Sequence, residues 1–405
     1  MKANRSLLLF LLVMSFISWF SRAAAPTEPG PLVEGNSTFA CDLYARLKTT
    51  PGNLFLSPYS ISSCLAMACA GARGNTEKEI ANVLHLPGNP AQVRASFATL
   101  QEQLKQAGKQ KGIELSIANA LWAQQGHPFL PAFLQVAQQE YEASLKQADF
   151  KTAAAEVTRE INGWVAEQTK GKIQNIIAPG ALDQMTRLVL ANAIYFKGAW
   201  ANPFEKSNTR PQPFHISSTR QIDAPLMTHA ETVNYLENNE FQAAELPYAG
   251  GQFAMVILLP RQIDGCPSFE RSLTSRNLKS WLGQMRQQKV ELYIPRFKLE
   301  SGFALQSVLA NMGMAEAFSV KADFSGMDGA RDLFISSVSH KAWVEVNEEG
   351  TEAAAATVVG VAAMAYHKPP PPPPVFRADH PFIFLIRDTS SGSVLFLGRL
   401  ANPMS

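Results

Sequence analysis

Apolar residues recur at helical spacing through the first half of this 405-residue chain and as short dense runs through the second. "TEKEIANVLHL" opens at Thr76 with a capping-box spacing to Glu79. "ASFATLQEQLKQ" and "PAFLQVAQQEYEASL" place apolar residues three and four apart. "EVTREINGWVAEQTKGKI" does the same through Val157, Ile161, Trp164 and Val165, and stops at Gly171. Strand-like runs follow: "LVLANAIYF" (188–196), "VELYIPRF", "FIFLIRD" and "SVLFLGRL". "AAELPYAGGQFAMVILLP" predicts two strands about a turn at Gly250-Gly251. Helices first and strands later, with some mixing, predict an α+β fold built on large antiparallel or mixed sheets. No repeat and no linker divides the chain.

The N-terminus follows another pattern. A basic "MKANR" precedes the 15-residue apolar "SLLLFLLVMSFISWF" and the small-residue "SRAAA". This predicts a signal peptide over residues 1–25, too short for a full membrane span, and a single domain over 26–405. It implies a secreted protein, extracellular or, in a bacterium, periplasmic. The whole chain carries +2; removing Lys2, Arg5 and Arg22 leaves 33 basic against 34 acidic residues, or −1. Nothing in that balance calls for nucleic acid or an anionic membrane as partner. The four cysteines, Cys41, Cys64, Cys69 and Cys266, form no CxxC pair and read as buried thiols, with a disulfide as the alternative in an oxidising compartment. Asn36 heads an "NST" glycosylation sequon.

Tests for an enzyme fail. The chain has no GxSxG, HExxH, Walker A or GxGxxG motif, and its seven histidines are isolated. His340, in "SVSHKAW", reads as a hydrogen-bonded core residue rather than a catalytic base. Lys105, Lys109 and Lys111 with Lys172 suggest a polyanion site, but a solvated helix face accounts for them. No cofactor or metal is expected.

One segment has no place in an ordinary core: "NEEGTEAAAATVVGVAAMAYHKPPPPPPVF", from Asn347 to Phe376. It lies between the strand-like "KAWVEVNEE" and "FIFLI". Taken with "NLFLSPYSISSCLAMACAGARGNT", "LVLANAIYFKGAWANPFEKSNT", "DHPFIFLIRD" and "LFLGRLANP", it resembles the serpins, the serine protease inhibitor family, over most of the chain from about Ser37 to Pro403. The resemblance implies helices packed on a large central mixed sheet with two smaller sheets, an exposed reactive-centre loop over about 348–375, and a monomer. It puts Asn53, Ser57, Pro58, Ser60, Asn192 and His340 at the family's shutter. Trp200, Glu348 and Arg296 fall at its breach, where an exposed ion pair contributes about 0–1 kcal/mol and sets how easily the sheet opens. Glu348, Glu349, Gly350, Thr351, Glu352 and Ala353, Ala354, Ala355 and Ala356 form the hinge.

In that family the loop is a bait. A protease attacks it, forms an acyl-enzyme, and is trapped when the freed loop inserts into the main sheet. The composition suits insertion. With Thr351 inward, Ala353, Ala355, Thr357, Val359 and Val361 follow on the same face, all small or β-branched and uncharged. The family register makes Met364 the scissile residue and Ala365 the next, fitting a hydrophobic specificity pocket of an elastase-like or chymotrypsin-like serine protease. Ala363, Tyr366 and Lys368 are the alternatives, the last followed by proline. Pro369 to Pro374 predict a stiff polyproline strut that loosely resembles prokaryotic members of the family. The rival readings are a non-inhibitory carrier or storage serpin and a hydrolase, the latter without a nucleophile constellation.

Overall fold

The computed structural model describes residues 30–351 and 372–405. Among these, helices dominate the first half and strands the second, in the α+β arrangement that the pattern predicts. A mixed six-stranded sheet runs in the order Phe297–Ala304, Ile335–Val346, Leu188–Ala199, Ile113–Gln124, Ser144–Ala148, with the short Gly350–Thr351 strand pairing on Leu188–Ala199. Ile335–Val346 and Leu188–Ala199 are neighbours and parallel, with His340 opposite Asn192. Nine further strands form a second array. Its long strand Arg220–Glu237 pairs with Arg210–Ser217 near its start and Phe241–Pro247 near its end, so two smaller sheets are joined through one strand.

The central strand is covered on both sides, which is why it reads as a continuous apolar run rather than an alternation. Leu190, Ile194 and Phe196 enter the main core with helix Pro58–Gly71. Val189 and Ala191 pack with Val157 and Ile161 of helix Phe150–Gln168, and Tyr195 with Val165. Asp149 caps that helix, its side chain accepting from the amides of Lys151 and Thr152.

Several local expectations are corrected. Ile113–Gln124 is a strand within the half that looked helical. Its Ala, Leu and Gln residues favour helices, and burial on both faces erases the period-2 signal. "PAFLQVAQQEYEASL" is helical only to Tyr141; Glu142 turns left-handed at φ +44° and Ser144–Ala148 is a strand. Thr76 does not cap its helix, which starts earlier, at Gly74; its hydroxyl bonds to Glu316 instead. All four cysteines are buried and free, and burial pushes each thiol up to about 12. The Asn36 side chain is buried against the Ser62 hydroxyl, so the folded protein offers no glycan acceptor there. Lys105 pairs with exposed Glu142, and Lys172 lies over the Trp343 ring.

Candidate functional site

The seam between Ile335–Val346 and Leu188–Ala199 carries a buried polar row. Neighbouring strands set Phe303, His340, Asn192 and Asn119 side by side. Below them, Ser57 caps helix Pro58–Gly71: its hydroxyl accepts from the Ser60 amide and donates to the Leu395 carbonyl at 2.6 Å, and Pro58 occupies the first turn. The Ser57 amide reaches His340 Nε2 at 3.0 Å. A backbone N–H only donates, so Nε2 accepts and the proton sits on Nδ1, which donates to Asn192 Oδ1 at 2.5 Å. The ring is therefore held neutral in one tautomer. Burial lowers its pKa to about 3, against which the Asn192 bond is a weaker opposing effect. The Asn192 amide donates in turn to the Ser60 carbonyl and hydroxyl and to Asn119 Oδ1. This network leaves His340 no free lone pair and no solvent, which removes it as a general base.

Asn53 stands apart from this cluster. It binds the C-terminal segment, its amide donating to the Asn402 carbonyl and its Oδ1 accepting from the Ala401 and Asn402 amides. Asn119, which bridges Asn192 to Ser63 on the helix, is a partner the sequence reading missed. Its signal was a lone polar residue inside the apolar "IANALW".

At the upper end of the seam the chain turns from Val346 into the start of the loop. Trp200 stacks on Tyr248 at 4.7 Å, and its indole N–H donates to the Asn347 carbonyl. The Trp200 and Phe204 amides donate to the carbonyls of Glu349 and Glu348. Glu348 differs from the exposed pair expected: its side chain is 2 % exposed while that of Arg296 is 42 % exposed. Its carboxylate accepts from Arg296 and from the Thr209 hydroxyl. Burial works against ionisation, but these bonds outweigh it and hold the carboxyl below the usual range. Glu349 takes Lys206 at 2.6 Å nearer the surface. Thr209, Lys206 and Tyr248 are further residues that no spacing in the sequence pointed to.

Gly350 and Thr351 then pair antiparallel with Ala199 and Gly198. Gly350 sits at φ +140°, and a Cβ there would meet the Gly198 carbonyl at 2.1 Å. Thr351 is fully buried with its hydroxyl 2.8 Å from the Tyr248 hydroxyl. At the far side Val375–Arg377 rejoins the nine-stranded array beside Glu291–Tyr293. Glu352, Ala353, Ala354, Ala355, Ala356, the Met364–Ala365 bond and the first three prolines of the run lie outside the described residues.

Comparison with known proteins agrees with this architecture. The family described as Serpin (serine protease inhibitor) matches residues 34–403. The leukocyte elastase inhibitor of Homo sapiens is 42 % identical over 383 residues, covering 92 % of this chain and 99 % of that protein. An uncharacterised serpin-like protein of Thermococcus kodakarensis is 40 % identical over 92 % of this chain and 86 % of its own length. Uncleaved ovalbumin superposes with a TM-score of 0.84 at 32 % identity, covering 92 % of this chain and all of that one. Human thyroxine-binding globulin complexed with thyroxine gives 0.83 at 32 %, over 93 % and 99 %.

The expectation of a secreted protein is corrected by the same findings. The leukocyte elastase inhibitors of Homo sapiens, Bos taurus and Rattus norvegicus are matched over 99 % of their own length, with nothing that answers to residues 1–25. The family match itself begins at residue 34. Among the described residues no helix is long and apolar enough to cross a membrane. With the sheet, the polar seam and the turn into residue 351 laid out as described, and with a family match spanning most of its length, this chain belongs to the serpin family.

Proposed function

We propose that this serpin is a suicide-substrate inhibitor of a serine protease of elastase-like or chymotrypsin-like specificity. The observation that carries it is the pairing of Gly350 and Thr351 with Ala199 and Gly198. The loop leaves Val346 already laid along the strand it would extend. Continued in the same register, Ala353, Ala355 and Thr357 come opposite Phe196, Ile194 and Asn192. Thr351 is buried on the core side beside Tyr248, so these residues would enter on that side too. Each is small or β-branched and uncharged, so rapid burial strands no charge.

In this reading Asn192 and His340 close the seam at rest, and Glu348 with Arg296 and Thr209 anchors the hinge above it. Cleavage after Met364 leaves an acyl-enzyme. No new reagent is needed after that: the freed strand separates Ile335–Val346 from Leu188–Ala199 and carries the protease away before water completes hydrolysis. The names of the leukocyte elastase inhibitors support an elastase-like target, as does a medium-sized apolar Met364 preceded by alanines.

A carrier role is the second reading, favoured by the likeness to the thyroxine-binding globulin complex. The two separate on one experiment. The protein is mixed with pancreatic elastase, chymotrypsin or trypsin, and the products are run on denaturing gels. An inhibitor gives a denaturant-stable complex with elastase or chymotrypsin and releases a C-terminal peptide beginning at Ala365. Cleavage without a complex would leave the carrier reading. A complex with trypsin alone would move the scissile bond.

A further inference from the structure

At the lower end of the same seam three ligand-type side chains converge from distant parts of the chain. His127 lies just beyond strand Ile113–Gln124, Asp328 ends the short helix Ser325–Asp328, and Asp332 precedes strand Ile335–Val346. His127 Nδ1 is 3.0 Å from an Asp328 oxygen and 3.5 Å from an Asp332 oxygen. All three donor atoms lie within 4.8 Å of one another. Tetrahedral zinc bonds of about 2.0–2.1 Å put neighbouring ligand atoms about 3.3 Å apart, which the two distances from His127 already approach, leaving the exposed Asp332 carboxylate to settle against Asp328.

Two of the ligands are held in place. The Asp328 side chain is 2 % exposed, and its second oxygen accepts from the Ala330 amide. The His127 carbonyl accepts from Gln147, and the backbone beside it is tied across by the Leu130 amide donating to the Met327 carbonyl at 2.7 Å. Asp332 is largely exposed and gives an ion its entry. One imidazole and two carboxylates suit a borderline divalent ion such as Zn2+, with water completing the shell. Calcium and magnesium prefer oxygen alone.

The position gives the site a consequence. Strand Ile113–Gln124 pairs with Leu188–Ala199 on one side of the seam, while Asp328 and Asp332 lead into Ile335–Val346 on the other. We propose that His127, Asp328 and Asp332 bind a divalent transition-metal ion that ties the two halves of the six-stranded sheet together at the lower end, opposite the hinge. A bound ion resists the parting that full insertion requires. This second half rests on the insertion reading given above. Slower insertion lets water release more protease, so more of the protein is consumed as ordinary substrate.

The test uses the full chain freed of metal with chelator, and Zn2+ and Co2+ as probes. Calorimetry should give one equivalent of Zn2+, and Co2+ a visible absorption band. Exposed Asp332→Asn and His127→Gln should each weaken binding at least tenfold. The moles of protein consumed per mole of elastase trapped should rise several-fold with Zn2+ in the parent and stay level in Asp332→Asn. No binding at millimolar metal, or unchanged affinity in both variants, overturns the site. Binding with no change in the consumption ratio overturns the clasp. A protein that binds Zn2+ through these residues but traps no protease at all would keep the site and refute the inhibitor reading, and the clasp with it.

Discussion

His340 Nδ1 lies 2.5 Å from Asn192 Oδ1, across the two strands that loop insertion would have to separate. The bond is made by a ring that the Ser57 amide forbids to carry a second proton. The contact that closes the seam is thus also a constraint on pH.

The unfolded chain protonates this histidine below about pH 6.5, while the folded ring resists protonation to about 3. Between those values the unfolded state binds more protons, so stability rises with pH. It is complete above about 6.5 and is lost as pH falls, by about 1.4 kcal/mol per unit in the middle of the window. Urea midpoints at pH 7.5, 6 and 5 should decline accordingly. His340→Gln should be less stable by about 1–3 kcal/mol at pH 7.5 and show a flatter decline from 6.5 to 5. An unchanged slope in the variant would assign the effect elsewhere.

Arg296→Ala should cost more than Glu348→Gln. The first strands a buried carboxylate with Thr209 as its remaining side-chain partner, and the second leaves a half-exposed guanidinium that water can reach. About 2–4 kcal/mol against about 1–2 kcal/mol is the expected order, after discounting for the exposure of Arg296. Glu348 has a depressed carboxyl, so its contribution is present above the ordinary carboxylate range and fades as pH falls below it. Thermal unfolding of both variants at pH 7.5 and 4 checks the order and the fading.

Thr351→Arg places a long cation where the native side chain is fully buried against Tyr248. Insertion should slow, and the protein should become a substrate, with complex yield falling at least tenfold. Gel densitometry of complex against cleaved product measures it. Equal yields would mean that insertion does not depend on the buried seat of Thr351.

Met364→Arg should exchange the target for a trypsin-like protease, whose pocket holds a carboxylate. Oxidising the parent's methionines should weaken elastase inhibition, because the sulfoxide is polar. Inhibition that survives both changes would put the scissile bond at another residue.

Much of the fold was legible because long segments carry their own pattern. The run Leu188–Phe196, the turn at Gly250-Gly251 and the helix ending before Gly171 all appear where the pattern predicts them. The His340–Asn192 pairing was accessible through the family resemblance, although the two are 148 residues apart. What escaped was set by tertiary contact. Glu348 looked exposed because nothing local shows that Trp200 and Phe204 fold over its backbone. Asn53 sits close to Ser57, Pro58 and Ser60 in sequence, yet it faces the C-terminus. His127 and Asp328 are 201 residues apart and share no motif spacing.

The central claim is that the seam at Asn192 and His340 accepts residues 351–361 as a new strand. The most direct measurement is the unfolding midpoint of the intact protein against the same protein nicked in the loop by a non-target protease. The account predicts that nicking raises the midpoint by roughly 10 °C or more, because the freed segment completes the sheet and buries apolar surface. A nicked protein that melts at or below the intact one would contradict it.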